Sequence, residues 1–238
     1  MFSTSADIIR SNFLLLLLLV LMGVGTDIAA AYSPAAMWVM TGVNFVGVSF
    51  WQVKVVQAVL SETRGARWQV RATIIVVLKG IAVFLFSLLC ATVFLVAIRM
   101  AHIVDYLTAL RIAALFFTAV YFLLLVVSRT WVPAGVHGQH GTLKRAIRTG
   151  LKRFVPCLLF LGFMGLVFLA LIFLAIFAAA GFSFEVLGRE KLDAAEVAAS
   201  VFRNLVSYGF ITLWMVVSTR DYVALEEVDM GEKLLAVF

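Results

Sequence analysis

Acid–base, metal or nucleophilic chemistry needs polar side chains close together, and this sequence offers few. His137 and His140 stand in an H-x-x-H spacing, the beginning of a metal site. No carboxylate or third ligand lies near them in the chain, so the pair reads as a polar loop, and neither metal nor other cofactor is expected. His102 and Asp105 lie three apart at the end of an apolar run, flanked by Arg99 and Arg111. On a helix that spacing makes a polar contact rather than a catalytic pair. Thr41, Asn44 and Gln52 fall on one face of a single helix. Within a membrane such a face either bonds a neighbouring helix or lines a path for a polar substrate. Phosphate-binding glycine loops, nucleophile elbows, zinc-protease motifs and Cys/His clusters are all missing from the sequence, so no enzyme is expected.

The densest chemistry is charge. The stretch "GTLKRAIRTGLKRF", Gly141 to Phe154, places Lys144, Arg145, Arg148, Lys152 and Arg153 just before an apolar run. At 100° per residue, Leu143, Ala146, Ile147, Gly150, Leu151 and Phe154 cover one arc of about 140°. Lys144, Arg145, Arg148 and Lys152 take the opposite face, with Arg153 at the border. A helix with two such faces lies in the membrane interface, its apolar side in the acyl boundary. Each cation near an anionic surface is worth about 1 kcal/mol, screened by salt. Arg64, Arg67 and Arg71 form a smaller basic turn of the same kind. The plain reading is that these charges enforce orientation; the sharper one is capture of lipid headgroups.

These residues belong to a chain whose solvent must be largely hydrocarbon. Hydrophobic residues make up 64% of its 238 positions and charged ones 13%, against roughly 45–50% and 25% in soluble domains. The net charge of +6 lies beside apolar runs, which points to anionic lipid and away from nucleic acid. Cys90 and Cys157 both sit inside apolar runs and read as packing residues.

Segments long enough to span are Phe13–Ala31, Ala36–Leu60, Thr73–Ile98, Ile112–Val127, Val155–Ala180 and Val201–Val217. The expected fold is therefore an all-α, polytopic integral membrane protein of six transmembrane helices, residues 1–238 forming one membrane domain. Arg10, the run Phe13–Val24 and Ala29-Ala30-Ala31 also resemble a secretory signal; an uncleaved first membrane helix is the expectation adopted. With the N-terminus inside, 14 of the 19 Lys and Arg residues face the cytoplasm. Both termini are then cytoplasmic, and Asp27 and Arg203 lie near the outer interface. A weak internal repeat aligns Arg71-Ala72 with Arg145-Ala146, Lys79 with Arg153, and Leu85-Phe86 with Leu159-Phe160. It implies two parallel three-helix halves, 1–105 and 106–238, each carrying a cytoplasmic amphipathic segment.

The passage "SRTWVPAGVHGQHGTLKRAIRTGLKRFVPCLLFL", Ser128–Leu161, resembles the six-helix membrane domain found on some bacterial glycerophosphodiester phosphodiesterases and its stand-alone relatives. In that pattern a helix ends in an aromatic and a Pro-Ala pair, here Trp131 and Pro133-Ala134. A hairpin and a basic amphipathic segment follow, and "SETRGARWQVRAT" (Ser61–Thr73) is similar to the equivalent turn of the first half. The catalytic portion of that family is a barrel of about 250 residues, and neither it nor its acidic metal ligands have a counterpart here. The resemblance thus implies a helical bundle of the bacterial inner membrane linked to lipid, without the hydrolase activity. The leading expectation is a non-enzymatic accessory or scaffold protein that contacts anionic lipids and packs against other membrane proteins. The alternative is a small transporter or flippase-like protein for an amphiphile.

Overall fold

The computed structural model describes residues 2–61, 65–101, 105–137, 143–152, 154–180 and 194–235. Among them every regular element is α-helical: α1 (Phe2–Ser11), α2 (Phe13–Tyr32), α3 (Pro34–Val59), α4 (Ala66–Met100), α5 (Tyr106–Val127), α6 (Trp131–Val136), α7 (Leu143–Lys152), α8 (Phe154–Ala180) and α9 (Ala194–Leu235). Five are long and apolar enough to cross a membrane: α2, α3, α4, α5 and α9. Large apolar side chains stay on their surfaces, among them Leu14, Trp38 and Leu115, each at least 70% exposed. Water would penalise that arrangement, whereas acyl chains accept it. The chain is a multi-pass membrane protein.

Local chemistry sets the boundaries. Pro34 cannot continue α2 and forces Ser33 into extended backbone, from which the Ser33 hydroxyl accepts from the Ala36 amide at 3.4 Å. After α3, Ser61 takes a left-handed φ of 54°, the conformation that commonly closes a helix. Asp105 caps α5, its carboxylate accepting from the Thr108 amide at 3.1 Å. α4 stops at Met100, so Asp105 serves the start of the next helix; His102, its partner in the contact expected from spacing, lies outside the described residues. Pro133 does not end a long helix. α5 already ends at Val127, and Pro133 sits in the first turn of α6, where a missing amide costs no hydrogen bond.

The chain divides into two compact units, whose boundaries fall within α4 and α8. The first contains Met1–Thr73 and Leu158–Phe238, with α2, α3 and α9 packed on one another and α1 against all three. Its core includes Leu19, Val20, Trp51, Val55 and Val216, all essentially inaccessible. The second contains Ile74–Cys157. Its α4 and α5 meet through rings: Phe94 stacks on Phe116 with centroids 4.2 Å apart, and Phe84 meets Phe117 edge-on at 5.6 Å. At the end of α5, α7 packs on its last turn.

Candidate functional site

Two constellations stand out, one in each unit. In the first, α9 carries Ser200, Asn204, Tyr208 and Thr212 at every fourth position. Each step of four residues advances 40° around a helix, so the stripe drifts from α2 toward α3. Asp27 of α2 accepts from Ser200, pairs with Arg203 and lies 3.4 Å from Asn204 Nδ2. One turn on, Asn204 lies directly over Gly23, and a Cβ at 23 would meet Asn204 Cγ at 2.5 Å. Next, the Tyr208 hydroxyl donates to Asn44 Oδ1 at 2.6 Å, with the Leu19 carbonyl at 3.2 Å. Finally, buried Trp51 donates its indole N–H to Thr212 Oγ1 at 2.9 Å, and that hydroxyl donates to the Tyr208 carbonyl at 2.7 Å.

The order of these contacts gives helix directions. Along α9 from 200 to 208, the α2 partners descend from Asp27 to Leu19, so the two run antiparallel. Along α9 from 208 to 212, the α3 partners ascend from Asn44 to Trp51, so these run the same way. The start of α1 meets the far part of α9, where Arg220 Nη2 donates to Thr4 Oγ1 at 3.0 Å. The start of α1 and the later turns of α9 therefore lie at the same end of this bundle.

The second constellation is basic. Arg129, just past α5, is 3% exposed and donates through Nη1 to the Gly150 carbonyl at 2.9 Å and the Val126 carbonyl at 3.1 Å. It fastens α7 to α5. Gly150 permits the approach, since a Cβ there would overlap the Val127 carbonyl. Ala146 is buried on the same side, while Lys144, Arg148 and Lys152 are exposed. The expected two-faced helix is present, except that Leu151 of its apolar arc is 59% exposed. In the same unit, Lys79 of α4 donates to the Trp131 carbonyl and lies 4.9 Å from the centroid of that indole ring.

Arg67 and Arg71 are exposed on the first turns of α4, while Arg64, Arg153 and the side chain of Arg145 lie outside the described residues, as does His140. Thr41 is exposed, Asn44 is bonded to Tyr208 and Gln52 is half-buried, so the face drawn from helical spacing is shared between neighbours with different roles. Sequence reasoning missed the Asp27–Arg203 pair, the anchoring role of Arg129 and the seating of Lys79 under Trp131. Opposite charges at similar depth in α2 and α9 could have indicated the first; the other two carried no local signal. Among the described residues, no group of three or more His, Cys, Asp or Glu converges as a metal would require. No family model, curated protein or solved structure matches this chain.

Proposed function

We propose that this protein is a six-helix, non-enzymatic component of the bacterial inner membrane, an accessory or scaffold that engages anionic lipid through α7. The observation that carries the reading is α7 itself. A buried arginine and a glycine hold it against α5 while Lys144, Arg148 and Lys152 face outward. A cationic face fixed beside an apolar one suits the headgroup layer, at about 1 kcal/mol per cation.

The count of six is supported by parity. α3 and α9 run in the same direction. If α4 and α5 each cross once, α9 can repeat the direction of α3 only if α8 crosses as well. With five crossings the two would be opposed. The 27 residues of α8, Phe154–Ala180, carry no charge and are long enough for the purpose. The excess of Lys and Arg on the side of α7 assigns that side, and both termini, to the cytoplasm. The resemblance of Ser128–Leu161 to the phosphodiesterase-associated membrane domain supplies the bacterial compartment and the link to lipid.

The transporter alternative would use Asn44 and Gln52 as part of a path. Asn44 is engaged by Tyr208, which favours helix packing as its role. The deciding experiment neutralises Lys144, Arg145, Arg148 and Lys152 together and weighs the anionic lipid that purifies with the protein in mild detergent. A marked, salt-sensitive loss is expected. Unchanged lipid in a folded variant overturns the reading.

A further inference from the structure

Lys79 stands immediately before a stretch, Gly80–Ile98, without a single charged residue. At 1.5 Å per residue that stretch spans roughly 28 Å, close to the hydrocarbon thickness, so Lys79 marks its border. Trp131, just beyond the end of α5, forms the other wall at this level. The ammonium uses one N–H on the Trp131 carbonyl and lies against the face of its ring. Its charge is thus met by a dipole and a quadrupole, with no carboxylate in ion-pair distance among the described residues. Residues 74–157 contain one acidic side chain, Asp105, at the opposite end of α5.

The donors left over are two lysine N–H groups and the Trp131 indole N–H, which has no acceptor among the described residues. Gly135 lets the ammonium pack close to the backbone of α6: a Cβ there would collide with Lys79 Nζ and lie 3.2 Å from Ile75 Cγ2. A half-buried cation with N–H groups to spare selects a ligand made of acceptors and negative charge. At the depth of the hydrocarbon border, that chemistry belongs to a phosphodiester headgroup. Below Lys79 on the same face of α4, Phe86 and Val93 are 55% and 62% exposed, an apolar track for acyl chains.

We propose that Lys79 and Trp131 seat the phosphate of one anionic phospholipid. The inference rests on the lipid reading above but names a different site: one fixed lipid at Lys79, as against the salt-sensitive surface contact of α7. Partial burial screens the Lys79 contact less than the exposed charges of α7.

Native mass spectrometry of the detergent-purified protein tests it, with phosphatidylglycerol and phosphatidylcholine titrated in parallel. One phosphatidylglycerol adduct should survive salt that strips the rest. Lys79→Gln should weaken it about tenfold or more, the scale of a lost hydrogen bond to a charged group. Lys79→Arg should retain it, and Trp131→Phe, which keeps an aromatic face but removes the N–H, should weaken it several-fold. An unchanged first adduct in folded Lys79→Gln overturns the site, and so does equal affinity for phosphatidylcholine. Displacement of the lipid by inorganic phosphate overturns the lipid as source. Loss of the adduct in Lys79→Gln, with no effect of neutralising α7, leaves this site standing and removes the α7 reading. The converse result does the opposite.

Discussion

The Tyr208 hydroxyl shows how single residues hold this bundle together. It reaches Asn44 of α3 and the Leu19 carbonyl of α2 from a buried position on α9. Hydrogen bonds between membrane helices average about 0.6 kcal/mol and reach about 1.7. Tyr208→Phe should therefore lower unfolding stability by about 1–2 kcal/mol, read by steric trapping in bicelles, with the helical content unchanged. Asp105 makes a separate, pH-dependent contribution outside the membrane. Its hydrogen bonds with Thr108, from side chain and backbone, hold the carboxyl below the usual aspartate range. A depressed folded-state value means that the stabilisation is complete above the unfolded value, about 3.9, and is lost as pH falls through the folded one. Amide exchange over residues 106–109, corrected for intrinsic rate, should accelerate on acidification below about pH 4. Asp105→Asn, which keeps a capping acceptor, should flatten that dependence. Of these two residues, Asp105 was visible in the sequence as polar but not as the cap of α5. Tyr208 was not visible as a site at all, because its partners lie more than 160 positions away.

At the level of elements, α7 was the most legible feature, because two-faced patterning at helical period is a local property. Lys144, Arg148 and Lys152 on one side and Ala146 with Gly150 on the other follow directly from spacing. What held α7 in place was not legible, since Arg129 lies 21 positions before Gly150 and sits among turn residues. Gly150→Ala should lever α7 off the last turn of α5, as its methyl would enter the Val127 carbonyl. Amide protection over 143–152 should fall, and retention of anionic lipid should fall with it. Unchanged protection would mean that α5 yields instead. Helix ends were read less well than helix faces. α9 runs from Ala194 to Leu235, far beyond the apolar run Val201–Val217 that marked it. Hydropathy registers where hydrocarbon begins, whereas backbone hydrogen bonding continues into water.

For the whole molecule, the direction of α9 is the decisive quantity. Parallel to α3 and antiparallel to α2, it requires an even number of crossings if α4 and α5 each cross. A reporter fused after Phe238 should be active only in a cytoplasmic format, and an N-terminal reporter should agree. Opposite answers from the two ends would remove α8 as a crossing helix. Composition by itself determined that the chain lives in lipid, and periodic patterning determined its helices and the basic face of α7, because transfer energy and helical period are properties of neighbouring residues. Which polar groups meet was decided only by the fold. Asp27 with Arg203, Tyr208 with Asn44 and Lys79 with Trp131 are joined across helices by packing. The register of one helix on another is a sum over many contacts, and no local stretch of sequence contains it.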